Sequence, residues 1–358
     1  MSETLLTDEI FLQRALELAS LGGNSAAPNP RVGALVVYNN QVIGEGYHQV
    51  YGGPHAEVFA INAVKDKSLL SQSVLFVSLE PCDHFGKTPP CTELIIASGI
   101  PKVVIGSVDP NPRVSGKGVA RLREAGIEVK FAPDGNPFMR LNKFFFTNQL
   151  QRRPFITLKW AETANGIMGS SHGRLIITGQ QALYFTHRLR AQHQCILVGQ
   201  NTIAIDNPQL TVRYFPGRNP IRLVFDTCLE LSLAAHFFAA NAEVWVLNKT
   251  REGVSGNIRY IPFPAADDQP WAIPALMDYL YSAFSLSSLL VEGGAFTLEQ
   301  FIKANYWDEI FILRSSNWGK GDIRAPQAPT FSEPRYIGEL GKDRVYHLSN
   351  PLGVVKFT

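Results

Sequence analysis

The chain has 358 residues, of which 45% are hydrophobic and 18% are charged, and its formal net charge is +2. This is the composition of a globular protein, and the near-neutral charge argues against a partner such as nucleic acid or a membrane surface, which would need a basic stripe. No apolar run approaches the roughly 20 residues of a membrane helix, the N-terminus is acidic where a secretory signal is basic, and four cysteines are too few for a disulfide scaffold. We therefore expect a cytoplasmic enzyme of two domains.

The first part of the chain alternates between helical and strand patterns. An amphipathic helix is predicted from a polar start at Thr7 to Gly22-Gly23. A hairpin turned by Asn39-Asn40 follows it. The further predicted elements are helices at about 55–64, 91–98 and 118–125 and strands at 74–78, 103–106 and 128–131. This alternation predicts a largely parallel sheet with helices on its faces.

The alternation breaks down between Ala132 and Pro154, where proline, glycine, aspartate and asparagine cluster. We place a domain boundary near residue 150, so that the two domains are 1–150 and 151–358. A second alternating series follows, with strands predicted at 155–160, 195–198, 221–225, 243–247, 289–291 and 308–313 and helices at 180–190 and 295–304. The fold class is therefore α/β in both domains.

Three residues of the first domain have the chemistry of zinc ligands. His55 is followed along the chain by Cys82 and Cys91. One imidazole and two thiolates give a tetrahedral zinc three protein ligands and leave the fourth position for water, whose pKa falls to about 7. Glu57 lies two residues past His55, close enough to move protons without binding the metal. The pattern favours a catalytic zinc site, and a closed structural site with His84 as the fourth ligand remains the alternative.

A histidine and glutamate in the pattern H-x-E, followed by P-C-x-x-C, is the signature of zinc-dependent nucleobase deaminases. Here eight residues separate Cys82 from Cys91, in the stretch P-C-x-H-x-G-K-T-P-P-C. This stretch, with Pro28–Gly33, Gly44–His48 and Asp109–Pro112 in the same order, resembles the deaminase half of the bifunctional riboflavin-biosynthesis deaminase/reductase (RibD/RibG) family. The resemblance runs over essentially the whole chain.

The resemblance implies a cytidine-deaminase-like three-layer α/β/α domain that acts on 2,5-diamino-6-(5-phosphoribosylamino)pyrimidin-4-one. The residues that match pocket positions of the family are Asn29, His48, His84, Lys87, Asp109 and Asn111. Taken singly, Asn29 and Asn111 beside prolines are more typical of turns, and only their order with the zinc pattern points to substrate binding. Asp83 stands where many members have serine.

The second domain lacks the Gly-x-Gly-x-x-Gly pattern of a Rossmann site. Glu292-Gly293-Gly294 joins a predicted strand to a predicted helix, and such a turn lets a phosphate approach the N–H groups of a helix N-terminus. Glu292 then lies at the carboxyl end of a strand, where α/β proteins bind ligands. A tight turn without a ligand is the alternative.

This half is similar to the reductase domain of the same family, which has a dihydrofolate-reductase-like α/β fold and uses NADPH. The match is carried by Ile156–Lys159, His187–Ala191, Asp206–Arg213 and Val291–Gly294. It implies reduction of the ribosyl to the ribityl side chain, with Lys159, Asp206 and Glu292 as candidates for proton transfer. The implied NADPH contacts are Ala161, Ile176, Thr202, Asp206, Thr227, Gly294, Ala295, Phe296 and Thr297. The implied substrate contacts are Arg174, Leu210, Arg213 and Glu292.

Three positions depart from the pattern of the reductase half. Asn165 replaces the usual aspartate, and Arg174 and Ile176 stand where many members have serine and tryptophan. These departures keep open a second hypothesis, in which the C-terminal domain is a non-catalytic binding or oligomerisation module. A third hypothesis, a deaminase of nucleic-acid bases, is disfavoured by the near-neutral charge. We expect a homodimer or higher homo-oligomer, and we expect Cys195 and Cys228 to be buried thiols without a metal.

Overall fold

The computed structural model describes residues 3–86, 89–112, 114–263 and 272–351. The chain divides into two compact units, one up to Gln151 and one from Arg152 onward. Among the described residues, no helix has the length and apolar character needed to cross a membrane.

The elements of the first unit in chain order are α1 (Glu3–Leu21), β1 (Gly33–Tyr38), β2 (Gln41–Tyr47), α2 (Ala56–Ala63), β3 (Val74–Val77), α3 (Cys91–Ala97), β4 (Lys102–Ile105), α4 (Lys117–Glu124), β5 (Glu128–Phe131), α5 (Asn136–Leu141) and α6 (Lys143–Gln151). A single 3₁₀ segment, Lys67–Gln72, precedes β3 among these described elements. The predicted helix, hairpin and later strands are all present, although α1 begins at Glu3 instead of Thr7.

The sheet of the first unit has the order β2-β1-β3-β4-β5. Strand β1 is antiparallel to both of its neighbours, whereas β3, β4 and β5 are parallel. The expectation of a largely parallel sheet is therefore wrong for the β1–β2 hairpin half. The antiparallel arrangement follows from the two-residue turn at Asn39-Asn40, which reverses the chain directly.

Alternate residues of each strand enter different apolar cores. Ala34 and Val36 of β1 pack with α2, α3 and α4, whereas Leu35 and Val37 pack with α1 and Phe138 of α5. This period of two buries both faces of the sheet between helices. The first unit is the predicted three-layer α/β/α domain.

The segment between Ala132 and Pro154 is more ordered than its punctuation indicates. It forms α5 and α6, which are joined at Asn142. The Asn142 side chain is buried, accepts a hydrogen bond from the Arg31 N–H at 2.8 Å and donates one to the Arg31 carbonyl at 2.9 Å. This pair of contacts holds the start of α6 beside the segment that carries Asn29.

The elements of the second unit in chain order are β6 (Phe155–Glu162), β7 (Ile167–Gly169), α7 (Gln180–Gln192), β8 (Cys195–Val198), α8 (Gln200–Asp206), β9 (Ile221–Phe225), β10 (Val244–Asn248), β11 (Gly253–Ser255), β12 (Ile258–Pro262), α9 (Ile273–Phe284), β13 (Ser288–Val291), α10 (Ala295–Lys303), β14 (Glu309–Arg314), β15 (Ile323–Arg324), β16 (Arg335–Leu340) and β17 (Asp343–Ser349). A short 3₁₀ turn also spans His236–Phe238.

The main sheet of this unit has the order β11-β12-β10-β9-β8-β13-β6-β14-β17-β16. The strands from β12 to β14 run parallel, and the strands beyond them at each edge are antiparallel. Helices α9 and α10 cover one face and α7 and α8 cover the other. Cys195 is buried within β8, but Cys228 is exposed because it lies beyond the end of β9, so the prediction of a buried thiol there is wrong.

Candidate active sites

The three predicted zinc ligands come together in the first unit. His55 precedes α2, Cys91 is the first residue of α3, and Cys82 lies in the loop after β3. The His55 Nδ1 atom is 3.2 Å from Cys91 Sγ and 3.5 Å from Cys82 Sγ. In a tetrahedral zinc site with ordinary bond lengths, a nitrogen and a sulfur ligand are about 3.6 Å apart. Both the donor types and their separations therefore fit zinc.

The cluster found among the described residues has these three members, whose ligand atoms lie within 4.8 Å of one another. His84 does not belong to it and lies exposed on the wall of the adjoining cavity. The alternative of a closed structural site with His84 as fourth ligand is therefore not supported. An open coordination position is the property of a catalytic zinc site.

The ligand cluster favours negative charge on sulfur. A hydrogen bond from the Cys91 thiol, opposed by burial and assisted by His55, lowers the pKa of Cys82 to about 4. The hydrogen bond with Cys82 raises the pKa of His55 to about 8 despite burial. Glu57, on the first turn of α2, is only 3% exposed. Burial raises the pKa of its carboxyl group, with His55 acting in the opposite direction, so Glu57 is suited to hold and release a proton.

A cavity of about 360 Å³ adjoins the cluster. Asn29 and His48 meet on its wall, where the Asn29 amide lies 3.2 Å from His48 Nε2 and His48 Nδ1 lies 3.0 Å from the Pro54 carbonyl. Burial lowers the pKa of His48, so its neutral ring donates to Pro54 and accepts from Asn29. The predicted residues that line this cavity are Asn29, His48, His55, Glu57, Cys82, His84, Asp109 and Asn111.

The opposite wall carries Asp109 and Asn111. The Asn111 N–H donates to Asp109 Oδ1 at 2.7 Å, which is a local turn that holds both side chains at the cavity. Burial raises the pKa of Asp109 to about 6. Lys87 lies outside the described residues, so its predicted contact with phosphate stays a prediction. Asp83 accepts a hydrogen bond from the Thr92 hydroxyl at 2.6 Å and so ties the loop of Cys82 to α3.

Sequence reasoning missed three residues of this cavity wall. Phe145 and Gln149 line it from one face of α6, and Glu80 lines it from the loop before Cys82. The helix itself was not predicted, which removed the basis for placing Phe145 and Gln149. Glu80 had one available signal, namely its position beside the Pro81-Cys82 pair.

A second cavity, of about 750 Å³, lies at the carboxyl edge of the main sheet of the second unit. The adjacent parallel strands β8 and β13 end there in Gly199 and in Gly293-Gly294, and helices α8 and α10 begin directly afterwards. A Cβ atom at Gly199 would lie 2.8 Å from Thr297 Oγ1, and one at Gly294 would lie 3.3 Å from Thr202 Oγ1. The glycines therefore keep open a space between two helix N-termini, a geometry that suits phosphate groups.

Most of the residues predicted for the reductase half line this cavity. They are Lys159, Ala161, Arg174, Ile176, Thr202, Asp206, Thr227, Glu292, Gly294, Ala295, Phe296 and Thr297. Burial raises the pKa of Asp206 while Arg174 opposes the shift. Ile176 is 81% exposed at the rim, so it does not replace a buried aromatic platform.

An ion cluster forms the floor of the second cavity. Arg190 donates two hydrogen bonds to the Glu292 carboxylate, at 2.7 and 2.8 Å, and Lys159 Nζ lies 3.6 Å from the same carboxylate. Burial opposes ionisation of Glu292, but Arg190 and Lys159 outweigh it and lower its pKa to about 2. Burial lowers the pKa of Lys159. Arg190 was quoted only within a matching stretch, and its partner 102 positions away could not be read from the sequence.

Leu210 and Arg213 lie outside the residues that line the cavity. Leu210 is buried in an apolar cluster with α7. The Arg213 guanidinium donates to Gln209 and to Thr211, at 2.9 and 2.8 Å, and its N–H donates to His187 Nδ1 at 2.9 Å. Burial, together with Arg190, lowers the pKa of His187 to about 4. The predicted substrate contacts of Leu210 and Arg213 stay predictions.

The departure at Asn165 has a structural explanation. Its amide donates to the Gly319 carbonyl at 3.1 Å and accepts from the Gly319 N–H at 2.9 Å. A carboxylate accepts but does not donate, so asparagine suits this pair of contacts. The residue thus joins the turn after β6 to the segment after β14.

Comparison with known proteins identifies both halves. Residues 6–107 match the cytidine and deoxycytidylate deaminase zinc-binding region, and residues 154–316 match the RibD C-terminal domain. The riboflavin biosynthesis protein RibD of Aquifex aeolicus (strain VF5) is 38% identical over 348 residues, which cover 94% of this chain and 97% of that protein. RibD of Escherichia coli (strain K12) is 32% identical over 362 residues, with 93% and 97% covered.

Solved structures agree with these matches. The crystal structure of a diaminohydroxyphosphoribosylaminopyrimidine deaminase/5-amino-6-(5-phosphoribosylamino)uracil reductase from Thermotoga maritima has a TM-score of 0.85 at 35% identity and covers 97% of this chain and 100% of its own. Acinetobacter baumannii RibD has a TM-score of 0.85 at 30% identity, with 96% and 99% covered. The matched reductase domain rules against a non-catalytic second unit. The chain belongs to the RibD family of bifunctional deaminase/reductase enzymes of riboflavin biosynthesis.

Proposed function

We propose that the first unit removes the amino group of 2,5-diamino-6-(5-phosphoribosylamino)pyrimidin-4-one by hydrolysis, and that the second unit reduces the ribosyl side chain of the product with NADPH. The domain that deaminates is residues 1–150 and the domain that reduces is residues 151–358. The observation that carries the first part is Glu57 on the same cavity as the His55, Cys82 and Cys91 cluster.

In the deaminase, zinc held by His55, Cys82 and Cys91 supplies activated water and stabilises developing negative charge. Glu57 takes up a proton on its carboxyl group and returns protons to the leaving ammonia. Its burial and raised pKa support this role, because a buried carboxyl group holds a proton more readily. Asn29, with its orientation set by His48, offers an amide to the pyrimidine.

Asp109 and Asn111 offer further polar contacts to the substrate from the opposite wall. Lys87 is the proposed point charge against the 5′-phosphate, in keeping with lysine's role at phosphate sites.

Replacing Glu57 with glutamine tests this mechanism. The change keeps the shape of the side chain and removes its proton carrier, so we expect ammonia release to fall by about 10²–10⁴-fold while bound zinc is retained. Zinc content and ammonia release are measured on the same preparation. Normal deamination by Glu57→Gln would refute the assignment.

In the reductase, bound NADPH supplies a hydride to C1′ of the ribosyl group. The two glycine turns and the N-termini of α8 and α10 bind its phosphates. Lys159 provides the proton for the ring oxygen as the C1′–O bond breaks, because burial lowers the pKa of Lys159 and eases proton release. Glu292 and Arg190 hold Lys159 in place.

Titration of the chain with NADPH, alone and with the deaminated substrate, tests this half. We expect saturable binding, and oxidation of NADPH only when the substrate is present. Arg213 is proposed to hold the 5′-phosphate through two parallel hydrogen bonds, and Arg213→Ala then raises the KM for the substrate without changing NADPH affinity. A cytoplasmic location and a homodimer remain predictions from the sequence.

A further inference from the structure

Glu80 is a buried acidic residue to which the proposed chemistry gives no role. It follows β3, lies two residues before Cys82 and is 4% exposed. Its backbone N–H donates to the Ser107 carbonyl at 2.9 Å, so its main chain is fixed to the segment that follows β4. That segment leads directly to Asp109.

The carboxylate of Glu80 joins parts of the chain that are far apart in sequence. Its Oε2 atom accepts from the N–H of Asp109 at 3.2 Å and from the N–H of Gly116 at 3.0 Å. Its Oε1 atom accepts from the N–H of Val119 at 3.2 Å. These donors lie between 29 and 39 positions along the chain from Glu80.

Two of these donors belong to the start of α4. Gly116 is the N-cap of this helix and makes no side-chain capping bond of its own. The first N–H groups of a helix have no partner within the helix, and a negative charge there is favourable. Glu80 therefore takes the place of a local capping residue and draws the start of α4 towards the loop that carries Cys82.

The close approach of α4 to this loop is confirmed by Gly118. A Cβ atom at this position would collide with the Pro81 carbonyl oxygen and would lie 3.4 Å from Glu80 Cγ. The backbone of α4 thus packs directly on the residues between Glu80 and Cys82. No larger side chain fits at position 118 without moving the helix.

We propose that Glu80 is a positioning residue of the deaminase, which sets Asp109 and Asn111 at the correct distance from the ligand loop of Cys82. The inference rests on the proposed function, because it takes Asp109 and Asn111 as substrate contacts. Loss of the Glu80 contacts frees the segment of Asp109 and Asn111 but leaves all three zinc ligands in place. The expected effect is therefore on substrate binding and not on the zinc chemistry.

The test compares Glu80→Gln with Glu93→Gln in the full chain. Glu93 is an exposed acidic residue on the first turn of α3 and serves as the matched control. In Glu80→Gln an amide group replaces one acceptor oxygen, so we expect the KM of deamination to rise about tenfold, with kcat changed by less than about threefold. Zinc content and NADPH-dependent reduction stay at the wild-type level, as does every parameter of Glu93→Gln.

An unchanged KM in Glu80→Gln overturns the inference, and so does a loss confined to kcat or to bound zinc, which would indicate a role at the metal. Should Glu80→Gln fail to fold, Glu80→Asp keeps the charge with a shorter reach. A raised KM with retained zinc in that variant supports the proposal, and a wild-type KM overturns it.

Asn111→Ala separates this inference from the proposed function. If Asn111→Ala raises the KM and Glu80→Gln does not, the positioning role of Glu80 alone is wrong. If Asn111→Ala leaves the KM unchanged, the proposed substrate contact itself fails.

Discussion

Replacing Glu292 with glutamine removes the negative charge that lies between Arg190 and Lys159 in the second unit. All three side chains are largely buried. Arg190 makes two short hydrogen bonds to the carboxylate, and Lys159 lies 3.6 Å from it. An amide in this place leaves two buried basic groups facing each other without a counter-charge.

The size of the effect follows from the pKa of Glu292, which lies at about 2 instead of its ordinary 4.5. A difference of roughly 2.5 pH units corresponds to about 3 kcal/mol of stability at pH 7. Breaking a buried ion pair by removal of one partner costs a similar ~3–5 kcal/mol. For a unit of this size, a loss of 3 kcal/mol lowers Tm by about 6–12 °C.

Scanning calorimetry of the wild type, Glu292→Gln and Glu299→Gln measures this loss. Glu299 makes an exposed pair with Lys303 within α10, and its removal costs at most about 0.5 kcal/mol. Because the pKa of Glu292 is depressed, its contribution is complete above pH 4.5 and is lost as the pH falls towards 2. A Tm of Glu292→Gln at pH 7 that matches the Glu299→Gln value would refute the assignment of a stabilising ion cluster.

Two further predictions concern the cofactor and the metal. Gly199→Ala places a methyl group 2.8 Å from Thr297 Oγ1, so calorimetric titration should show NADPH affinity reduced by about tenfold or more, with ammonia release unchanged; wild-type affinity would rule out a phosphate site between α8 and α10. Removal of zinc with a chelator should lower the Tm of the first unit and stop ammonia release, while reduction of the deaminated substrate continues; continued deamination at zero zinc content would contradict the proposed metal role.

The chemistry of the first unit was readable from the sequence because its ligands stand in an order and spacing that few other sites share. His55, Glu57, Cys82 and Cys91 mark the zinc site by residue type alone. The strands around them were predicted as well, since each is a short apolar run between turn residues. These are local signals.

The residues that were missed depend on contacts between distant parts of the chain. Asn142 holds α6 through Arg31, 111 positions away, and the proline and glycine residues before α5 indicated a linker instead of a helix. Glu80 has no local mark of its role, because its donors are supplied by α4. The hairpin of β16 and β17 was not predicted because β16 is exposed on both faces and shows no apolar alternation.

The most direct test of two activities on one chain is a paired assay on purified wild type and Glu57→Gln. Each protein receives NADPH with either the diamino substrate or its deaminated product, and ammonia and NADPH are followed together. We predict that the wild type oxidises one NADPH for each ammonia released from the diamino substrate. Glu57→Gln should do neither with that substrate yet oxidise NADPH normally with the deaminated product. Ammonia release by Glu57→Gln, or no oxidation of NADPH by the wild type with the deaminated product, would contradict the account.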